Sequence, residues 1–171
     1  MSQADESSVS VSVTVGDVRV QFNGSAGSVM ASVMTFLSKQ VPGMDLARKI
    51  SLNYSATELA DAYSKVIKIT PEGPRVIPES GVNLSDKDVV ALQLVASRIA
   101  KDLGRLQDDS MQVSDIQAAT ALNPKSISSR ISEMVKAGHV ARDEKETSRY
   151  RITTAGIHWL GTATSKKLKS G

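Results

Sequence analysis

Between Pro124 and Ala137 the chain sets Lys125, Ser126, Ser128, Ser129 and Arg130 close together. Short hydroxyls let a phosphate oxygen or a base edge approach closely, and the two long cations supply charge. That combination suits a polyanion better than it suits bond-making chemistry. Arg142, Arg149 and Arg151 follow downstream, and each can neutralise a phosphate. A solvated face would account for a polar helix as well. Against this, serine is only a middling helix former, and surface helices favour Glu, Lys, Gln and Ala. Four serines here (Ser126, Ser128, Ser129, Ser132) imply that a nucleic acid or a protein comes close.

Other candidate chemistry is thin. The chain has no cysteine, which removes disulfides, thiolate nucleophiles and cysteine metal sites. His139 and His158 have no Asp, Glu or Cys partner at ligand spacing, so no metal site is expected. Asp86, Asp88, Asp108 and Asp109 read as helix-start and loop charges rather than an acid/base pair. No context for a Ser-His-Asp triad is present. The loop Gly24, Ser25, Ala26, Gly27, Ser28 lacks the Lys-Ser/Thr of a phosphate-binding P-loop and reads as a turn followed by an N-cap. Met30 and Met34, at helical spacing, read as core packing. The expectation is therefore no enzyme, no cofactor and no metal. A small-molecule carrier would instead need a deep polar pocket in the N-terminal part.

The elements that must carry the cationic cluster are well signalled. Ser114 is expected to cap a short helix over 115–121, with Ile116, Ala119 and Leu122 facing inward. Asn123 and Pro124 form an N-cap and first-turn proline, and Gly138 provides a stop after Ala137. Ile127, Ile131, Met134 and Val135 make the buried stripe of this second helix. Lys125, Ser126, Ser129 and Glu133 then point outward, flanked by Ser128 and Arg130. Residues 139–143 and 148–153 read as hairpin strands, with Val140, Tyr150 and Ile152 turned inward. Thr153 to Ile157 leads into a return helix docked by Trp159 and Leu160. Lys166, Lys167 and Lys169 end the chain as a mobile basic tail. Upstream, Ser85 and Asp88 cap a long helix reaching Gly104. Its stripe of Leu92, Val95, Ile99 and Leu103 is widened at the start by Val90, Ala91 and Leu94. The widening predicts that its N-terminal end also meets the N-terminal unit or a second copy of the chain.

Closer to the N-terminus, Val9, Val11, Val13 and Val15 alternate with Ser or Thr, and Val18, Val20 and Phe22 resume the pattern after Gly16-Asp17. A Gly-X loop predicts a type II′ hairpin pairing Val15 with Val18, Val13 with Val20 and Val11 with Phe22. A helix opens after Gly24 and Ser25, carries Val29, Met30, Val33, Met34, Phe36 and Leu37, and stops before Val41-Pro42-Gly43. Ser55 and Glu58 form a capping box for a helix through Ala62 or Tyr63. Segments 66–70 and 75–77 flank Pro71 to Pro74 as a second hairpin or an extended crossing.

The order helix, turn, capped helix, hairpin and return helix over 85–160 resembles the winged helix-turn-helix superfamily, in particular MarR-like transcriptional regulators. The resemblance implies a C-terminal winged helix-turn-helix domain; with the small N-terminal β-hairpin/helix unit read from the residues above, the chain is expected to be α+β. In numbers, this gives a disordered terminus 1–8, a small α+β domain 9–79, a linker 80–84, the winged-helix domain 85–163 and the basic tail 164–171. It also implies double-stranded DNA as partner, read by 124–137 with the hairpin arginines on the backbone, and a homodimer. One departure from the family pattern is the hairpin tip Asp143, Glu144, Lys145, Glu146, which is acidic and lacks glycine. Such a tip is poorly suited to a minor groove, so the strand arginines are the better candidates. Winged helices also serve as protein-protein adaptors, and that alternative stays open. The Val-rich hairpin followed by Phe22, Gly24 and Ser25 and a helix faintly resembles uncharacterised archaeal proteins.

Charge and composition fit this division. Residues 1–104 carry 10 Lys and Arg against 11 Asp and Glu, whereas residues 105–171 carry 11 against 7. A basic C-terminal part on a near-neutral N-terminal part suits a polyanion-facing head. No signal peptide and no membrane-length apolar run is read, so the expectation is a cytoplasmic protein.

Overall fold

Valine alternating with Ser or Thr makes a strand with one apolar face, and Gly16 lets it turn back on itself. In the computed structural model, which describes residues 8–41 and 52–169, β1 (Val9–Val15) and β2 (Val18–Gly24) pair antiparallel. The register is the expected one: Val15 with Val18, Val13 with Val20, Val11 with Phe22. Gly16 has φ 59, while Asp17 is not among the positive-φ residues, as a type II′ turn requires. Helix α1 (Ala26–Gln40) starts at Ser25, whose hydroxyl accepts from the Ser28 N–H, and ends at Val41. Pro42, Gly43 and residues 1–7 lie outside the described residues. The glycine-serine loop is thus a turn and N-cap.

This first unit (1–52) is thinly closed. The Phe22 and Phe36 rings meet edge-on at 5.8 Å, and among its described residues only Val29 is fully buried. Met30, expected in the core, is 65% exposed. A single helix on a two-stranded ribbon is covered along one narrow stripe, and Met30 lies 100° round the helix from Val29.

The second unit (53–171) is built around α3 (Asp86–Asp102). Before α3 come α2 (Ala56–Tyr63), capped by the Ser55–Glu58 box, and a hairpin of β3 (Ile67–Thr70) and β4 (Gly73–Val76). After it come β5 (Met111–Gln112), α4 (Val113–Thr120), α5 (Pro124–Lys136), β6 (Val140–Arg142), β7 (Arg149–Ile152) and α6 (Thr154–Lys169). The sheet order is β5-β7-β6, all antiparallel. The protein is therefore α+β with small antiparallel sheets. Among the described residues no helix is long and apolar enough to cross a membrane.

Val90, Ala91, Leu92, Leu94, Val95 and Ala96 are all fully buried, and so are the polar Gln93 and Ser97, so the middle of α3 is enclosed nearly all round. The β3–β4 hairpin and α2 contact it, as do α4, α5, α6 and β7. Each large aliphatic side chain enclosed this way contributes about 1.5–3 kcal/mol. α3 contacts α2, β3 and β4, and Leu59, Tyr63, Val66 and Ile67 share one core cluster with its buried residues. Two boundaries therefore differ from the sequence reading. The division falls at 52/53, so residues 53–79 belong with the C-terminal unit, and 80–84 is a loop inside that unit rather than a linker. Residues 164–169 continue helix α6, with Thr164 buried, rather than forming a mobile tail. At the start of α6, a Cβ on Gly156 would stand 2.0 Å from the His139 carbonyl oxygen, so the glycine permits this crossing.

Candidate functional site

Strand β5 delivers the chain into α4. The Asp115 carboxylate accepts from the Gln112 N–H at 2.9 Å, making Gln112 the cap. Ser114, expected as the cap, lies inside the first turn. The reason is pairing: Gln112 is held opposite Arg149 on β7, so the helix starts earlier. Ala121 ends α4 in the left-handed conformation, φ 59. Two residues later Asn123 accepts from the Lys125 N–H at 2.9 Å and opens α5 on Pro124. Ile127, Ile131 and Met134 are buried and seat α5, with α3 and α4 as neighbours. Lys125, Ser128, Ser129 and Ser132 are exposed.

The structure separates the α5 candidates by what already holds them. The Ser126 hydroxyl donates to Asp86 of α3 at 2.6 Å. Arg130 pairs with Glu133 at 3.1 Å, and Lys87 reaches the same carboxyl at 3.3 Å. The hydrogen bond from Arg130, then Lys87, holds the Glu133 carboxyl below its usual range. Lys125, Ser128 and Ser129 make no side-chain hydrogen bond or ion pair among the described residues. No acidic residue occupies the first turn of α5, where the backbone N–H groups and helix dipole favour an anion.

The three hairpin arginines do not form one row. Cross-strand partners share a face, so Arg151 lies with Ala141, and Arg149 lies on that same side. Arg142 falls on the opposite face with Tyr150, its guanidinium 5.3 Å from the ring centroid. Arg142 also donates to the Thr147 carbonyl and stays exposed. Arg149 donates to the Ser110 hydroxyl at 2.9 Å and carbonyl at 2.5 Å, within 3.9 Å of Asp108 and Asp115. Arg151 is bonded to Asp143. The other oxygen of Asp143 accepts from the backbone N–H groups of Lys145 and Glu146. That side chain folds the tip without a glycine. Arg151 balances its charge, while Glu144 and Glu146 remain exposed. All three arginines line an open cleft of about 800 Å³ beside Gln107 and Asp108.

Sequence reasoning missed the ties made by the first turn of α3. Besides the Asp86–Ser126 bond, Lys87 sits 5.0 Å over the Trp159 ring, which stacks on His139 at 4.7 Å. Asp88 receives Lys167 at 2.5 Å while closing the Ser85 capping box. Burial works to raise the Asp88 pKa, but Lys167 and Ser85 outweigh it and hold the group below its usual value. The capping pattern was readable, whereas partners 79 residues away were not. His158 meets Tyr54 at 3.2 Å. Among the described residues no group of three or more His, Cys, Asp or Glu is placed to hold a metal.

Comparison with protein-family models, with curated proteins and with solved structures returned no match.

Proposed function

We propose that the chain is a transcriptional regulator that binds double-stranded DNA, with residues 85–163 acting as a winged helix-turn-helix and the N-terminal unit serving dimerisation or sensing. The observation that carries this reading is the start of α5. Its first two turns present Lys125, Ser128 and Ser129 uncommitted, on a helix with no carboxylate before Glu133. In helix-turn-helix docking the N-terminal turns of the second helix approach base edges. The serines then face the groove, while Lys125 at its edge and Arg142 on the adjacent backbone each neutralise a phosphate. Arg149 and Arg151 position the hairpin through Ser110 and Asp143.

A protein-adaptor reading draws on one contrary observation: Arg130, Arg149 and Arg151 are already paired with carboxylates or backbone, and the hairpin tip carries Glu144 and Glu146. The two readings separate in a titration of the chain into a mixed-sequence duplex by fluorescence anisotropy. Binding weakened by Lys125→Ala, with unchanged far-UV circular dichroism, supports DNA. Absence of binding by the folded wild type at low salt supports the adaptor.

A further inference from the structure

We infer that the outer edge of β1 is the surface through which two copies of this chain associate, by antiparallel pairing of β1 with β1 about Ser12. This deepens the dimerising role proposed for the N-terminal unit and does not depend on DNA. In a hairpin closed by two residues, Val15 and Val18 form a hydrogen-bonded pair, and bonded pairs alternate along the ladder. The backbone N–H and C=O groups of Ser10, Ser12 and Thr14 therefore point away from β2. Among the described residues no strand pairs with that edge.

Natural edge strands are guarded by charge, proline, bulges or shortness. β1 has none of these: it is seven residues long, VSVSVTV, regularly paired along its length, in a chain of which 23% is charged. β2, by contrast, carries Arg19 and ends in Gly24. The β1 sequence is also symmetric in residue type about Ser12. A two-fold axis there sets Ser12 against the partner's Ser12 and Ser10 against the partner's Thr14. It also sets Val11 against the partner's Val13 and Val9 against the partner's Val15. The outward-facing groups of Ser10, Ser12 and Thr14 then fall in hydrogen-bonded pairs, and every valine stays on the apolar face. β1 itself carries no charge to oppose another, and the Arg19 of each copy donates to its own Ser12 hydroxyl at 3.1 Å. A two-stranded ribbon is marginal alone, and here, among the described residues, it encloses only Val29. Pairing makes four strands carrying two helices, which is a self-sufficient layer.

The full chain tests this without DNA. Because it has no cysteine, Ser12→Cys reports on one contact. Opposed residues in such a pair have Cα atoms about 5.5 Å apart, within disulfide range. Mild oxidation is expected to link S12C into covalent dimers and to leave Gln21→Cys, on the outer edge of β2, unlinked. Sedimentation is expected to show a wild-type dimer. S10E/T14E opposes carboxylates across the axis and should weaken association about tenfold, whereas S10K/T14E restores it. Both place the position-14 carboxylate opposite Arg19 and both replace the Ser10 hydroxyl that accepts from Gln21, so the comparison between them holds these hairpin changes in common. A monomeric wild type overturns the interface. So does a dimer in which S12C fails to link or the two charge variants associate equally. Loss of DNA binding alongside an intact, S12C-linked dimer would sink the regulator reading and leave this interface standing.

Discussion

Two helix starts in the C-terminal unit look alike in sequence and differ in the fold. Ser85, Asp86, Lys87 and Asp88 open α3, while Asn123, Lys125, Ser126, Ser128 and Ser129 open α5. At α3 every polar side chain of the first turn has a partner: Ser126, Glu133 and Trp159, Lys167. At α5, Asn123 caps and Ser126 is tied back, but Lys125, Ser128 and Ser129 face outward without partners among the described residues. Polarity at a helix start therefore does not mark a site by itself. What distinguishes a surface available to a ligand is that its donors are not already engaged by the fold.

This contrast predicts that changes at α3 register as stability and changes at α5 as affinity. The largest effect is expected from Asp88→Ala, which removes a capping box and a buried carboxylate's ion pair. Lys167 is half-exposed, which tempers the pair's worth, so the loss should be about 2–3 kcal/mol, read as a lower denaturant midpoint. The sign with pH follows from the depressed folded pKa of Asp88. Its contribution is fully present above the ordinary unfolded carboxylate pKa and is lost as pH falls through the lower folded value. The gap between wild type and Asp88→Ala should therefore narrow on acidification; a gap that stays constant refutes the assignment. Arg149→Ala comes next, at about 1.5–3 kcal/mol through the charged bonds to Ser110, with DNA affinity per folded molecule little changed. If affinity collapses while stability holds, Arg149 is a contact residue after all.

Much of the second helix start was legible from sequence because its signals are local. Asn123, Pro124 and Gly138 set the ends of α5, and Ile127, Ile131 and Met134 set its buried face. The β1–β2 register was legible for the same reason: alternation and Gly16 specify it together. What could not be read was long-range. The two-residue strand β5 is too short to show a period, yet its pairing with β7 moves the α4 cap from Ser114 to Gln112. The bonds Asp86–Ser126 and Asp88–Lys167 join residues 40 and 79 apart, so sequence spacing held no trace of them. The unit boundary was misplaced because Leu59, Tyr63, Val66 and Ile67 look like the core of any small domain until α3 is seen to receive them.

Smaller effects sharpen the α5 side of the comparison. Lys125→Ala should change stability by no more than about 0.5 kcal/mol and lower DNA affinity severalfold. Asp86→Ala should cost about 0.5–1 kcal/mol and raise affinity slightly, since it releases Ser126 and removes a negative charge beside the proposed groove face. Reduced affinity with Asp86→Ala would instead mean that Ser126 must be held in place to bind.

The most direct measurement is duplex affinity across a salt series for wild type and Lys125→Ala in parallel. The account predicts that log affinity of the wild type falls linearly with log salt, and that the variant's slope is shallower by about one phosphate contact. Identical slopes, or affinity indifferent to salt, would contradict a DNA-reading role for α5.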